Sequence, residues 1–131
     1  PEEDAFQLAN AVLSGNCSAA LESLSRAKRR NESPVRLLAS ISAVFCDMAV
    51  IAHLASLGDD KRTISSKLKI HEYRTGLYMK AAEKIRLADI DRAVELCSMT
   101  DRKLKSSSSL GYIPLENLIC KTSRLRFDKD T

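Results

Sequence analysis

The chain has few residues that could interrupt a helix: among 131 residues there are 4 glycines and 3 prolines. Two of the prolines, Pro1 and Pro34, fall at or before expected helix starts. Long stretches of Ala, Leu, Ser, Lys and Arg therefore predict an all-helical chain. No run of roughly eighteen or more consecutive apolar residues occurs, which argues against a membrane span. A phosphate-cradling loop is excluded, because Gly15, Gly58, Gly76 and Gly111 stand alone and none precedes a Lys-Ser/Thr pair. Neither histidine sits in a general-base pattern: His53 reads as a packed or surface residue of a long helix, His71 as a turn residue that caps or is exposed. The carboxylate pairs Glu2-Glu3 and Asp59-Asp60 fall in a helix start and a turn, where solvation accounts for them. Cys17, Cys46, Cys97 and Cys120 lie far apart without metal-ligand spacing. They read as buried, reduced and structural, as expected in the cytoplasm. The sequence thus predicts no catalytic residues, no metal and no cofactor.

What is present is the material for a core. Hydrophobic residues make up 44% and charged residues 29%, enough for one domain with a wet surface. The net charge of +4 permits a nucleic-acid partner without requiring one. The chain begins Pro1-Glu2-Glu3-Asp4, without Met or a signal-peptide pattern, and is expected to be the later part of a longer protein. The expected layout is a single helical domain over residues 1–127 and a frayed tail over 128–131.

Periodicity places the helices. The first spans about Glu3 to Ser14, with Phe6, Ala9 and Leu13 on a stripe beside Leu8 and Val12, and Gly15-Asn16 ends it. The second spans Ser18 to Arg30, with Leu21, Leu24 and Ala27 inward. Ser33-Pro34 caps the third, which runs to Leu57 and is closed by Gly58. Leu37, Leu38, Ile41, Val44, Phe45, Met48, Ile51 and Ala52 cover much of that helix, so it is expected to be surrounded by others. Two short helices follow, Thr63 to Lys69 and Glu72 to Lys84. Another spans Ala88 to Lys105, with Asp89 or its neighbour as cap and Ile90, Val94, Cys97 and Leu104 inward. Ser106 to Ser109 reads as a mobile loop. Pro114 opens the last helix, with Leu115, Leu118, Ile119 and Leu125 on one stripe.

The segment from Thr63 to Ile85 is open to two interpretations. Ile64, Leu68, Ile70, Tyr73 and Leu77 have the spacing that locks a helix-turn-helix, whose second helix would offer Glu72, Arg74, Thr75, Tyr78 and Lys80 to a DNA groove. Against this, the turn at Lys69-Ile70-His71 lacks the frequent glycine, and Glu72 would face phosphates.

The flanking motifs point elsewhere. Phe6-Gln7-Leu8-Ala9-Asn10-Ala11 leads through Leu13-Ser14-Gly15 to the long helix. Then come Lys67-Leu68-Lys69-Ile70-His71-Glu72-Tyr73-Arg74, Asp101 with Leu104-Lys105, and Leu115-Glu116-Asn117-Leu118. In this order they resemble the C-terminal domain of the delta subunit of the bacterial DNA polymerase III clamp loader, over Phe6 to about Leu125. The chain departs from that pattern at Lys69, where Gly is usual, at Thr75, where an apolar residue is common, and in the serine loop.

The resemblance implies a compact bundle of six or seven helices around a long central apolar helix, as in clamp-loader collar domains. It implies a non-catalytic assembly module in bacterial DNA replication, joined to the other loader subunits in a five-membered collar. Contact with the sliding clamp would belong to the part upstream, and primed DNA is a further possible partner. On this basis Asp101, Lys105 and Glu116 become candidates for a subunit interface or an interhelical pair. A carboxylate on the stripe of Val94, Cys97 and Leu104 needs a partner, or else lies at the stripe's edge. Arg26, Arg29 and Arg30, with Lys28, form a basic cluster that offers a DNA contact, unless it only complements the helix dipole. Tyr112 offers a stacking surface for a base, or else packs on the last helix.

Overall fold

The structure, a computed structural model, describes residues 2–126. Pro1 and the expected tail lie outside them, as does the boundary at residue 127. The elements are α1 (Glu2–Ser14), α2 (Cys17–Arg29), α3 (Pro34–Ser56), α4 (Lys61–Leu68), α5 (Glu72–Ala82), α6 (Leu87–Ser106) and α7 (Ile113–Ser123), with a 3-10 turn at Ser108–Leu110. The all-helical expectation holds; among the described residues the one sheet-like feature is an antiparallel bridge between Ile85 and Arg126.

Local chemistry sets the boundaries. Gly15 has φ of +77°, a conformation that lets the chain reverse at once. Asn16 then accepts a hydrogen bond from the Ala19 amide at 3.0 Å and caps α2. Ser33 accepts from the Arg36 amide and Pro34 takes the first helical turn, as expected. The Asp60 carboxylate accepts from the Thr63 amide at 2.8 Å, so α4 begins at Lys61 rather than Thr63. His71 caps α5, its Nδ1 accepting from the Tyr73 amide at 3.1 Å. Asp89 is not the cap of α6; it lies in that helix's first turn, where its charge suits the dipole. The serines do not form an open loop either. α6 runs through Ser106, and Ser107 and Ser109 share a hydroxyl hydrogen bond of 2.8 Å across the 3-10 turn.

Packing builds outward from α3. It lies against α1, α5 and α6, while α2 packs on α1 and α7 joins α2 to α6. Phe45, Ile41, Met48 and Ile51 of α3 are fully buried with Leu8, Leu24, Ile64, Ile90, Leu115 and Leu118.

Three stripes are only partly where periodicity put them: Leu8, Val12, Ile90 and Cys97 are buried as expected, while other expected members are not. On α1 the buried residues are Leu8, Ala11 and Val12, while Phe6 is 63% exposed. On α5 they are Thr75, Tyr78 and Ala81, while Tyr73 is 72% exposed and Leu77 is also exposed. On α6 they are Ile90, Ala93, Leu96, Cys97 and Thr100, with Val94 and Leu104 only partly covered. The cause is shared. A helix approaches its neighbour closely where side chains are small, so Ala and Thr centre the contact and larger apolar residues rotate to its edge. Thr75 is tolerated there because Ser65 hydrogen-bonds its hydroxyl at 2.8 Å.

α3 is surrounded by other helices, as expected, though one side of it stays open. By length and composition Pro34–Ser56 could cross a membrane, yet it is the bundle's core helix on one side and open on the other. Val35 and Val50 are exposed along that open side, and Leu57 beyond it is 80% exposed. Cys46 also lies there, exposed rather than buried. Cys97 is buried, Cys17 and Cys120 are partly covered, and all four are free thiols.

Candidate functional site

Two surface features stand out once the core is assigned. The first is the outer side of α3. Ala39, Ala43, Cys46, Val50, His53 and Leu57 are all exposed, and their spacing alternates between four and three residues, the seam of a helix that packs against another helix. Among α3's residues only Arg36 and Asp47 carry full charges, so this outward face lacks the Lys and Glu that normally cover a solvated helix. His53 of the seam pairs with Asp91 of α6 at 3.0 Å. In the sequence this pattern merges with the apolar residues that cover much of the helix, so periodicity alone does not separate the seam from the core.

The second is a cleft of about 720 Å³ between α1, α3 and α5. Phe6 and Leu77 form its lips, and Ala9, Ala43 and Val44 line it. Its mouth carries Arg30, Arg36 and Arg74. Arg74 lies 3.8 Å from Asp47 and stacks its guanidinium over Tyr78, 5.3 Å from the ring centre. Burial raises the Tyr78 hydroxyl pKa, with Arg74 opposing the shift and Asp47 adding to it.

The residues singled out from sequence do not form one site. Asp101 is 39% exposed and bonds Lys105 one turn along the same helix at 2.9 Å. The pair therefore lies within α6, at the edge of the stripe that buries Cys97 and Thr100. Glu116 is exposed in the first turn of α7.

The basic cluster is largely committed within the bundle. Arg26 bonds Glu22, Gln7 and Ser23, Arg29 bonds Ser25, and Arg30 bonds the buried Asp4 carboxylate at 3.0 Å. Tyr112 is half-buried and donates its hydroxyl to the Glu32 carbonyl. That contact ties the turn before α7 to the α2–α3 connection, so the ring is a packing residue and not a free stacking surface. Arg74, which a helix-turn-helix would offer to DNA, turns back to α3 and to its own helix.

Periodicity gave no sign of Arg126. Its Nη2 donates to the carbonyls of Val12 and Leu13, both at 2.8 Å, closing the C-terminal end of α1 across 113 and 114 residues of sequence. Burial lowers the guanidinium's pKa from its ordinary value. A Cβ at Gly15 would stand 2.4 Å from the Arg126 Cδ, so the glycine serves both the turn and the arginine. Long-range capping of this kind leaves no periodic signal.

Among the described residues no group of His, Cys, Asp or Glu is placed to hold a metal ion. Cys97 is the thiol most perturbed by its surroundings, pushed up to about 11 by burial, with Ser42 opposing and Cys46 adding to the shift. A thiol so raised is a poor nucleophile.

Comparison with known proteins agrees with the motif order. Residues 2–122 match the family model of the DNA polymerase III delta subunit, C-terminal domain. The chain is similar to DNA polymerase III subunit delta of Bacillus subtilis (strain 168), with 24% identity over 115 residues, covering 88% of this chain and 33% of the relative. Its fold is similar to that of the solved Bacillus subtilis DNA clamp loader delta protein, with a TM-score of 0.78 at 23% identity, covering 94% of this chain and 36% of that one. The chain thus spans about a third of the length of the relatives it matches. A family match over nearly all of the described residues is decisive: the chain belongs to the family of C-terminal domains of the DNA polymerase III delta subunit.

Proposed function

We propose that this domain is a non-catalytic assembly module that joins a delta subunit to the other subunits of a bacterial clamp loader. In that role it holds the loader together while the sliding clamp is placed on primed DNA in the cytoplasm. Contact with the clamp itself belongs to the rest of the delta subunit. The observation that carries this reading is the outer seam of α3. A central helix that buries one side and leaves an uncharged stripe exposed on the other is built to be covered twice, once by its own bundle and once by a neighbour. A stable cover would take about 800 Å² from each partner, and a seam running the length of α3 offers the core of such a patch.

The test is assembly with the remaining loader subunits, followed by light scattering. A single complex is expected, with Cys46 protected from thiol reagents inside it and reactive in the isolated domain. A domain that ignored those subunits, or that entered the complex with Cys46 still fully reactive, would refute the corresponding part. The DNA-binding alternative at residues 63–85 draws no support from the placement of Tyr73, Leu77 and Arg74.

A further inference from the structure

We infer that the cleft between α1, α3 and α5 is the seat of an acidic amphipathic helix belonging to a partner subunit. The inference rests on the assembly reading and names the surface and the chemistry of one contact.

The cleft's shape suits a helix. α1 and α5 both lie along α3 but scarcely touch each other, so they form two walls with α3 as the floor. Ala9 on one wall and Ala43 on the floor are small, which permits the close approach that helix packing requires. At the lips, Phe6 is 63% and Leu77 41% exposed. Both large apolar side chains line the cleft yet are held out of the bundle's own core, where Leu8 and Tyr78 take the buried positions instead. An apolar stripe inserted between them would remove both from water, the helix-in-groove mode of recognition.

Charge selects the occupant. Around the mouth stand Arg30, Arg36 and Arg74 against one carboxylate, Glu32. Arg30 and Arg74 each keep a carboxylate of this chain nearby, Asp4 at 3.0 Å and Asp47 at 3.8 Å. Arg36 is exposed at the start of α3, and its guanidinium has no such partner among the described residues. A helix with Asp or Glu beside its apolar stripe satisfies this rim. A second copy of the chain does not, because a self-complementary contact would bring the same arginines face to face.

Two variants test this in the full chain with the remaining loader subunits. Phe6→Glu places a carboxylate at an exposed lip of the cleft, away from the seam of α3, and leaves the core untouched. It should weaken assembly by about thirtyfold or more, the effect of spoiling a central anchor. Arg36→Glu should weaken it by about tenfold at low salt, with the gap narrowing as ionic strength rises. Circular dichroism and melting temperature confirm that each variant is folded.

Wild-type assembly with unchanged affinity in both variants would overturn the cleft while leaving the assembly reading intact. Absence of wild-type assembly would overturn the assembly reading itself. Tighter binding by Arg36→Glu would mean a basic occupant, and self-association lost in the same variants would mean a second copy; either result refutes the inference.

Discussion

Replacing Lys69 with glycine should stabilise the protein. Lys69 ends α4 with φ of 56° and ψ of 45°, in the left-handed region. Its amide donates to the Ser65 carbonyl, as does that of Ile70 at 3.1 Å, so the turn closes by backbone bonds that glycine preserves. An L side chain in this conformation costs about 1–2 kcal/mol, and glycine relieves that cost. Glycine also gives the unfolded chain more freedom, which takes back about 0.5–1 kcal/mol. The net gain is about 0.5–1 kcal/mol. For a chain of this length, 1 kcal/mol moves the melting temperature by about 3–5 °C, so Lys69→Gly should melt about 2–4 °C above the parent. The Lys69 side chain is exposed and has no ion-pair partner among the described residues, so no contact is lost. Urea titration followed by circular dichroism should show the same gain at unchanged slope. Lys69→Val is the opposing control, because a β-branched residue tolerates this region poorly. If Lys69→Gly melted at or below the parent while Lys69→Val was neutral, the turn would not hold the left-handed conformation on which the reasoning depends.

Arg126→Ala should destabilise the fold by about 1–3 kcal/mol, because two carbonyls at the end of α1 lose their donor; denaturant unfolding checks this, and Arg126→Lys should restore only part. Among the thiols, Cys46 should react first with an aromatic disulfide reagent at pH 8, and Cys97 only on unfolding, since it is buried and its pKa is pushed up to about 11; mass mapping after brief labelling reads the order. The Asp60 carboxyl lies below its ordinary value, first through its bond with the Thr63 backbone. Its folded pKa is depressed, so its capping contribution is fully present above about pH 4 and is lost as pH falls through the folded pKa. Melting curves of Asp60→Ala should therefore lie below the parent at neutral pH and converge with it in acid.

Helix identity and order were legible in the sequence because capping is local. Ser33-Pro34, Gly15-Asn16 and the His71 turn all sit where the chemistry of nearby residues places them. Helix rotation was less legible. Choosing the largest apolar residue at each turn favoured Phe6, Tyr73 and Leu77 as core, but contact between helices is centred by the residue that permits approach. On α5 that residue is Thr75, made acceptable by Ser65 ten positions earlier. No single-helix pattern contains that pairing. Tyr112 and Arg126 escaped for a related reason: each reaches a backbone carbonyl 80 or more residues away, and only the assembled bundle brings those groups together.

The residues rotated out of the core connect the fold to its proposed task. Phe6 and Leu77 flank the cleft, and Val50 and Leu57 lie on the outer seam of α3; all four are exposed. The cleft and the seam meet at Ala43, which lines the first and belongs to the second. A neighbour laid along α3 would thus cover apolar groups that the single bundle leaves in water, and burial of that area would drive assembly. The charges nearest this surface are mostly engaged within the bundle: Arg74 with Asp47, His53 with Asp91, and Arg30 with Asp4. The exposed pairs, Arg74 with Asp47 and His53 with Asp91, contribute little to stability, but they fix the side chains around the patch before a partner arrives. Less conformational freedom is then lost on binding. A surface arranged in this way favours one long-lived contact over many transient ones, which suits a module that must stay in its assembly.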